Sequence, residues 1–334
     1  MEYLLGMDAG GTKTLCILAD EHGKVVGLGR AGCGNYQAAG STGAGRELRL
    51  AIQAAIQEAA IDPVDIATAF YGISGADREE DFAAIRKILA PINPAPRMFL
   101  ENDTMIALRA GTEDGVGVGL ISGTGTNAIG FNRKGERLQV GGWGSPYLGD
   151  YGSAHDIAAT AFRLAQRGWD GRGRPTLLYE KLIKALGLKR LIDICAWDHA
   201  DTLQPLDVAS FAPLVFEAAE EGDEVAIHIL EFAGTEISLA ARAVLRSLFH
   251  AEDTVAVVLG GSVFQKGSHP GMVDALEREI RKEFASVRFV ILDKDPVIGA
   301  MLAAADRHIP GRLNDQFNAN LIVNYLRRSS RNSP

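Results

Sequence analysis

The sequence predicts an α/β protein built from two similar halves. Its 334 residues exceed what a single hydrophobic core usually serves, so two domains of ordinary size are the simplest arrangement. In both halves, apolar segments of strand length alternate with segments whose apolar residues recur at helical spacing. A glycine-rich turn also joins neighbouring strands in each half. The repeated order of elements therefore suggests an internal duplication.

The first half reads as three strands followed by alternating helices and strands. Short turns between the three strands predict an antiparallel meander. A helix is indicated where Leu48, Ile52 and Ile56 recur on one face. The predicted strands are 3–7, 14–19, 25–30, 67–73 and 97–100, and the predicted helices are 45–60, 79–89 and 104–110.

The second half repeats this order around a long helical stretch. Three strands again come first, with a glycine turn after the first of them, and a second glycine turn follows a later strand. The predicted strands are 116–122, 128–132, 137–140, 254–259 and 288–291, and the predicted helical segments are 153–247, 271–284 and one that ends at 305.

These patterns place a first domain at 1–114 and a second at 115–312, the second carrying the helical insertion. Phe317 and Leu321 lie on the apolar side of a further predicted helix, 313–328. This helix either returns to the first domain, packs on its own domain or contacts a second subunit. We expect a homodimer.

Composition and charge exclude several classes of protein. Hydrophobic residues make up 47% and charged residues 23% of the chain, which fits a folded globular protein. The net charge of −8 argues against a nucleic-acid partner, because binding to phosphate backbones needs clustered Lys and Arg. The N-terminus lacks a leader pattern and no run of about 18 apolar residues occurs. The expected location is the cytoplasm, without a membrane partner.

Cysteine usage points to a reducing compartment. Cys16, Cys33 and Cys195 are scattered without C-x-x-C spacing, which fits neither a disulfide framework nor a zinc or iron–sulfur site. Cys16 falls within a predicted apolar strand, where a buried thiol is the simpler interpretation.

The first motif is the turn Asp8-Ala9-Gly10-Gly11-Thr12-Lys13-Thr14 between two predicted strands. Glycines let the backbone approach a ligand closely, and successive N–H groups in such a turn suit phosphate oxygens. The acid at its start suits a magnesium ion. A tight hairpin that uses Gly-Gly for positive φ, with Lys13 exposed, is an equally good interpretation. The segment is not the P-loop pattern.

A second glycine turn, Ser122-Gly123-Thr124-Gly125-Thr126-Asn127, lies between strands of the second half. If the two domains face each other, the two turns can hold one triphosphate, with Thr hydroxyls and backbone amides as donors. Their recurrence in both halves favours this function over two unrelated hairpins.

The third motif, Glu101-Asn102-Asp103-Thr104, lies at the end of a predicted strand and the start of a predicted helix. Either Asn102 or Asp103 could simply cap the helix. Functional residues of α/β proteins also gather at the ends of strands. A carboxylate there could accept the proton of a substrate hydroxyl.

The fourth motif is a glycine-rich segment, 141–154, ahead of a predicted helix. So many glycines exceed what one turn needs and favour a ligand-binding loop. Asp150 could bind sugar hydroxyls or cap the helix that begins near Ser153. Trp143 and Tyr147 could stack on a sugar or pack within the loop.

Taken together, these segments resemble the N-acetylglucosamine kinase and BadF/BadG/BcrA/BcrD ATPase family from about residue 4 to residue 305. The resemblance rests on 8–14, Asn35, 72–75, 102–103, 122–127, 141–144, 149–154 and 260–262. It implies a duplicated ribonuclease-H-like fold of the actin/hexokinase type, with two domains and ATP bound in an interdomain cleft.

The resemblance also implies a role for each matching residue. Asp103 becomes the catalytic base and Asp8 the acid that holds hydrated Mg²⁺. The residues expected to contact ATP are Gly10, Gly11, Thr12, Lys13, Thr124 and Gly125 at the phosphates and Gly260, Gly261 and Ser262 at the adenosine. The residues expected at the sugar are Asn35, Ser74, Thr124, Asn127, Asp150 and Ala154. Two positions depart from the family pattern: Tyr151 stands where an acid is common, and Cys33-Gly34 replaces the usual Ser or Thr before Asn35.

The implied activity is transfer of the γ-phosphoryl group of MgATP to a hydroxyl, O6, of N-acetylglucosamine or glucosamine. The alternative is an ATPase that activates a partner redox enzyme, but such relatives hold an iron–sulfur cluster through cysteines, and only Cys33 lies near a glycine loop here. A sugar-responsive repressor is a third interpretation, and it would need a DNA-binding domain ahead of the first strand.

Overall fold

The computed structural model describes residues 1–144, 148–196, 206–308 and 315–330. Short 3₁₀ turns cover Pro63–Asp65, Leu191–Ala196 and Val208–Phe211. The strands are β1 (Tyr3–Ala9), β2 (Thr14–Asp20), β3 (Val25–Ala31), β4 (Ile66–Ile73), β5 (Arg97–Glu101), β6 (Gly117–Ser122), β7 (Thr126–Phe131), β8 (Arg137–Val140), β9 (Ala256–Gly260) and β10 (Arg288–Ile291). The helices are α1 (Tyr36–Ala59), α2 (Glu79–Leu89), α3 (Asp103–Gly111), α4 (Ala154–Trp169), α5 (Leu178–Leu186), α6 (Ala212–Glu220), α7 (Glu224–Leu248), α8 (Ser262–Lys266), α9 (Gly271–Arg281), α10 (Pro296–His308) and α11 (Asp315–Ser329).

The strands form two sheets with the same internal order. The first sheet runs β3-β2-β1-β4-β5 and the second runs β10-β9-β6-β7-β8. Each sheet therefore has its first three strands side by side, with its fourth and fifth strands added beyond the first. Strands β1, β2 and β3 pair antiparallel, whereas β4 pairs parallel with β1 and with β5. The predicted meander and the predicted duplication of an α/β arrangement are confirmed.

The chain divides into two units that differ from the predicted domain boundaries. Unit 1 comprises Met1–Gly119 and the described residues from Leu292 onward, and unit 2 comprises Leu120–Ile291. The sequence-based division put everything from 115 to 312 in the second domain, but α10 belongs to unit 1. The reason is packing, because an added Cβ at Gly299 of α10 would lie 1.8 Å from the carbonyl oxygen of Ile106 in α3. Glycine at this position lets α10 lie directly on α3.

The predicted start of the helix at 45–60 is wrong, because α1 begins nine residues earlier, at Tyr36. Asn35 caps it by accepting the backbone N–H of Gln37 at 2.8 Å. Gly40 interrupts the helical backbone with φ +69° and ψ 162°. Periodicity missed this first part because small and weakly helix-forming residues fill 38–45, and the cap rather than an apolar stripe begins the helix.

Helices cover both faces of the first sheet, and β2 shows how the sequence provides for this. Leu15 and Ile17 belong to the same buried cluster as Met301 of α10, whereas Cys16 and Leu18 pack with residues of α1 and α2. Successive side chains of a strand point to opposite faces, so a run without polar residues is what a sheet covered on both faces requires. Within the described ranges, no helix is both long enough and apolar enough to cross a membrane.

The C-terminal helix α11 packs in unit 1 through Phe317, Leu321 and Tyr325, which are buried in the cluster that also holds α10. Its predicted start at Leu313 lies outside the described residues. Asn320 donates a hydrogen bond to the His22 carbonyl at 2.9 Å, and Arg328 donates to the Val25 carbonyl at 2.9 Å. The helix therefore contacts the β2–β3 turn and the start of β3.

The contact between α10 and α3 makes Gly299 sensitive to substitution. Gly299→Ala is expected to lower the free energy of unfolding by about 1–3 kcal/mol, because the added methyl group meets the Ile106 carbonyl oxygen and, at 2.7 Å, the Ala110 nitrogen. Thermal unfolding measures the loss. Gly43→Ala in α1 is the matched control, since its nearest neighbour is the Ala39 Cβ at 3.3 Å. Equal melting temperatures for the two variants would contradict this packing.

Candidate active site

The turn between β1 and β2 is held by backbone hydrogen bonds in unit 1. Gly10 donates to the Lys13 carbonyl at 2.9 Å and accepts from Gly34 N–H at 3.1 Å, while Ser74 N–H donates to the Ala9 carbonyl at 2.9 Å. Neither Gly10 nor Gly11 has a positive φ, and a Cβ at Gly11 would meet nothing within 4 Å. A need for positive φ in a tight hairpin therefore does not explain these glycines.

Asp8, at the start of this turn, lies among charged groups of unit 1. Burial raises the pKa of its carboxyl to about 7, the charge of Asp103 and that of Asp295 add to the rise, and Lys13 opposes it. Asp295 itself lies 3.8 Å from the Lys13 ammonium and accepts a hydrogen bond from the Tyr325 hydroxyl at 2.6 Å. A cation beside Asp8 would favour its ionised form. Carboxylate oxygen suits Mg²⁺, so this donor set fits the ion.

Asp103 is the first residue of α3, but it is not the cap of that helix. Asn102 caps α3 by accepting the Thr104 N–H at 2.8 Å, which leaves the neighbouring carboxylate for another role. Burial raises the pKa of Asp103 to about 6, and the charge of Asp77 contributes. Hydrogen bonds from the Ser74 side chain and the backbone N–H of Thr104 partly oppose this rise. A carboxyl with this pKa is well matched to proton transfer near neutral pH.

Asn35 and Ser74 lie on the same side of unit 1 as Asp103. The Asn35 amide donates to the Ser74 hydroxyl at 3.5 Å, and Ser74 in turn bonds to Asp103. An added Cβ at Gly75, where φ is +84°, would lie 3.1 Å from the Asn35 amide oxygen. The structure thus brings together three of the predicted site residues, each from a different loop that follows a strand.

In unit 2, three glycine-containing segments meet around the second turn. The Ser122 hydroxyl donates to the Gly152 carbonyl at 2.6 Å, and Ala154 N–H donates to the Gly123 carbonyl at 2.8 Å. At Gly261, where φ is +92°, a Cβ would lie only 2.3 Å from the Ser122 carbonyl oxygen. The 260–262 turn is therefore pressed against the 122–127 turn. This contact requires glycine at position 261 whether or not a ligand binds there.

The outer part of the 122–127 turn is open. Thr124 and Gly125 are exposed, and a Cβ at Gly125 would meet nothing within 4 Å. Gly123 N–H donates to the Gly125 carbonyl at 2.9 Å, so the turn is closed by its own backbone. Its geometry parallels that of the first turn, with an exposed glycine in an ordinary backbone conformation.

Asp150 and Asn127 lie against the backbone of Gly141 and Gly142. Asp150 accepts the Trp143 N–H at 3.0 Å, and Cβ atoms on the two glycines would lie 2.5 Å from the Asp150 carboxylate and 2.6 Å from the Asn127 side chain. Both glycines have positive φ, +74° and +80°. Positive φ and close approach together require glycine at both positions.

Asp150 is not a helix cap either. Ser153 caps α4 in a capping box with Asp156, whose backbone N–H donates to the Ser153 hydroxyl at 3.1 Å. Of the residues that the resemblance assigns to the sugar in unit 2, Asn127 and Asp150 line a cavity of about 290 Å³, together with Trp143. Thr124 lies in the 122–127 turn and the buried Ala154 begins α4, and neither lines this cavity. Tyr147 lies outside the described residues.

Sequence patterns missed three residues around Asp8 and Asp103, namely Asp77, Asp295 and Tyr325. Asp77 follows the 72–75 turn and accepts a hydrogen bond from the Asn102 amide at 2.9 Å. The Asp-Pro pair at the start of α10 is a helix-start signal that could have drawn attention to Asp295. Tyr325 gave no signal, because its contact with Asp295 spans 30 residues and depends on how α11 packs.

The cysteines give the redox alternative little support. Cys16 is fully buried in β2, where burial raises the pKa of its thiol. The half-buried Cys33 points its thiol at the Asn35 carbonyl, 3.6 Å away. A buried thiol of raised pKa is a poor thiolate ligand for an iron–sulfur cluster.

The repeated sheet order and the paired glycine turns define a duplicated α/β fold of the actin/hexokinase type. The chain belongs to the BadF/BadG/BcrA/BcrD ATPase family, whose model matches residues 5–304. It is 30% identical over 315 residues to an N-acetyl-D-glucosamine kinase of Dictyostelium discoideum, covering 91% of this chain and 98% of the relative.

Two further similarities agree with that family. An N-acetylmuramic acid/N-acetylglucosamine kinase of Clostridium acetobutylicum is 28% identical over 304 residues, covering 91% of this chain and 98% of the relative. The crystal structure of a candidate N-acetylglucosamine kinase from Chromobacterium violaceum superposes with a TM-score of 0.71 at 25% identity, covering 90% of this chain and 98% of that one.

Proposed function

We infer that this chain is an ATP-dependent kinase that phosphorylates an amino sugar. The observation that carries this function is Asp103, a helix-terminal carboxylate that does not cap its helix and whose pKa is raised by burial to about 6. Asn35 and Ser74 stand beside it as hydrogen-bonding groups suited to sugar hydroxyls. The family and the kinases among the relatives agree with this activity.

In the proposed reaction, a sugar hydroxyl attacks the γ-phosphorus of ATP and ADP leaves. The oxygen–phosphorus bond to the sugar forms as the bond to the β-phosphate oxygen breaks, and Asp103 accepts the hydroxyl proton. We propose O6 of N-acetylglucosamine or glucosamine as the acceptor, because a primary hydroxyl is the least hindered. Positioning of the hydroxyl and neutralisation of phosphate charge then supply most of the rate enhancement.

Glycine turns are the proposed phosphate-binding elements. In unit 1, Gly10, Gly11, Thr12 and Lys13 offer backbone N–H groups, a hydroxyl and an ammonium. In unit 2, the exposed Thr124 and Gly125 offer the same kind of donors, and the 260–262 turn packed beside them is proposed to contact the adenosine. Asp8 would hold Mg²⁺ through water, and the ion would neutralise charge on the β- and γ-phosphates.

The proposed sugar contacts fall into two groups. Asn35 and Ser74 serve the reacting side of the sugar through their link to Asp103. Asn127 and Asp150, with Thr124 and Ala154 nearby, serve the other substituents. Because ATP is made and maintained in the cytoplasm, we propose that the enzyme acts there. A homodimer is proposed as its assembly.

The experiment that tests this function is a coupled ADP-release assay with MgATP. The panel contains N-acetylglucosamine, glucosamine, N-acetylmannosamine, N-acetylmuramic acid, glucose and a control without sugar. Strong stimulation by an amino sugar over glucose is the expected result. ADP release that no sugar changes would contradict the kinase and favour an ATPase that serves a protein partner.

The pKa of Asp103 sets the expected pH dependence. The base must be ionised to accept a proton, so kcat/KM for the sugar is expected to fall about tenfold per pH unit below about pH 6. Because the charge of Asp77 contributes to the raised pKa, Asp77→Asn is expected to move this acid limb to lower pH. A pH–rate profile at saturating MgATP measures both effects. An acid limb unmoved by Asp77→Asn would contradict the assignment of the limb to Asp103.

A further inference from the structure

A cavity in unit 2, here called the α7 cavity, adjoins the proposed sugar contacts. It is lined by Asn127 of β7, by the loop residues Trp143 and Asp150, and by Glu236 and Leu239 of α7. Its volume is about 290 Å³, the low end of the range for small-molecule pockets. No sequence motif pointed to the α7 residues, because they lie in the middle of a helix whose periodicity is explained by its buried face.

We propose that the α7 cavity binds the substituents of the amino-sugar ring and selects a neutral acylamino group over an anionic one. This inference rests on the proposed kinase function, and it names the class of amino sugar that the kinase prefers. It also assigns a specificity role to Glu236 and Leu239, which no motif of the family covers.

Charge is the first reason. The described residues that line the α7 cavity include two acids, Asp150 and Glu236, and no Lys, Arg or His. Asp150 accepts the Trp143 N–H, and Glu236 is contributed by α7. A carboxylate on the ligand would face these like charges without a cation to offset them. N-acetylmuramic acid carries such a carboxylate, and N-acetylglucosamine does not.

Apolar surface is the second reason. Leu239 is 49% exposed and Trp143 is 43% exposed, which are high values for large apolar side chains, and both face the α7 cavity. Leu120, Val140 and Ile237 add further apolar surface. Burying an acyl methyl group against these walls is favourable.

Tyr151 is the third reason, since an acid is common at this position in the family. Its ring lines the α7 cavity and meets Phe232 of α7 edge to face, with the ring centroids 6.2 Å apart. Both rings are about half exposed. An aromatic ring at this position extends the apolar wall of the α7 cavity, which favours an acyl group on the ligand.

The test compares kcat/KM and calorimetric binding for four sugars: glucosamine, N-acetylglucosamine, N-butanoylglucosamine and N-acetylmuramic acid. The wild-type protein is expected to prefer N-acetylglucosamine over N-acetylmuramic acid by at least about tenfold. Glu236→Gln is expected to raise the efficiency with N-acetylmuramic acid relative to N-acetylglucosamine, because one of the two like charges is removed.

Leu239→Trp adds bulk to the lining of the α7 cavity. It is expected to lower kcat/KM for N-butanoylglucosamine by about tenfold or more relative to kcat/KM for glucosamine. Leu50→Trp is the matched control, since Leu50 is a 47% exposed leucine of α1 in unit 1. Leu50→Trp is expected to leave the ratios of kcat/KM between the four sugars unchanged.

Two outcomes would overturn the inference: equal wild-type efficiency with N-acetylmuramic acid and N-acetylglucosamine, or a Leu239→Trp effect that is the same for all four sugars. A binding measurement distinguishes failure of this inference from failure of the proposed kinase function. If N-acetylglucosamine binds the wild type, loses affinity in Leu239→Trp and is never phosphorylated, the α7 cavity is supported and the kinase function is contradicted.

Discussion

Asp103→Asn is expected to lower kcat by roughly 10²–10⁴-fold, the range that a positioned general base contributes. The amide keeps the shape of the side chain and cannot accept the hydroxyl proton. Affinity for MgATP, measured by calorimetry, is expected to stay near that of the wild type, because the proposed phosphate contacts lie on the glycine turns. Activity within a fewfold of the wild type would contradict the assignment of the base.

The same variant is expected to be more stable than the wild type at neutral pH. The folded-state pKa of Asp103 is raised from 3.8 to about 6, so the folded protein keeps this proton while the unfolded chain has already released it. The free energy of unfolding therefore falls as pH rises through that window, and the deficit is complete above about pH 6. Replacing Asp103 by asparagine removes this loss of unfolding free energy, which is on the order of 1–2 kcal/mol when the exposed part of the side chain is allowed for.

Thermal unfolding at pH 7.5 and at pH 2.5 measures this difference without ligands. The stabilisation should be present at the higher pH and should disappear at the lower one, where the aspartate is protonated in both states. A loss of activity together with a loss of stability at both pH values would indicate a folding defect rather than a missing base.

Asp8→Asn is the second variant with a large expected effect. Removing the carboxylate proposed to hold hydrated Mg²⁺ is expected to lower kcat/KM for MgATP about 10²-fold or more, because neutralisation of phosphate charge is worth several kcal/mol. The Mg²⁺ concentration that gives half-maximal activity should also rise. Steady-state kinetics across a Mg²⁺ series measures both quantities.

Two further measurements serve as controls for the Asp8→Asn result. Glu113→Gln removes an exposed acid of unit 1 and is expected to leave the Mg²⁺ dependence unchanged. Because the charge of Asp103 adds to the raised pKa of Asp8, Asp103→Asn should lower the pKa of Asp8. An unaltered Mg²⁺ dependence in Asp8→Asn would contradict its role.

Much of the fold could be predicted from local sequence patterns. Strand β8 and helix α2 have the predicted bounds, because alternation, turn residues and helical spacing are all local signals. The assignment of α10 to unit 1 could not be predicted, since it depends on Gly299 lying against the Ile106 carbonyl almost 200 residues earlier in the chain. The early start of α1 was missed because a polar cap at Asn35, rather than periodicity, begins that helix.

The candidate site, like the fold, could be predicted only in part from local sequence patterns. Motifs pointed to Asp8, Asp103 and the glycine turns because each lies directly after or between strands, where spacing is informative. They could not decide whether Asn102 or Asp103 caps α3, which depends on the side-chain geometry that gives the cap to Asn102. Asp295 lies near Asp8 through the packing of helices in unit 1, and Glu236 lines the α7 cavity in unit 2. No local pattern reports either position.

The most direct test of the kinase follows the phosphoryl group itself by ³¹P NMR during turnover of MgATP with N-acetylglucosamine. The expected spectrum gains one sugar-phosphate resonance for each ADP formed, split by the two C6 protons if O6 is the acceptor. Accumulation of inorganic phosphate with ADP, and no sugar phosphate, would contradict phosphoryl transfer to the sugar.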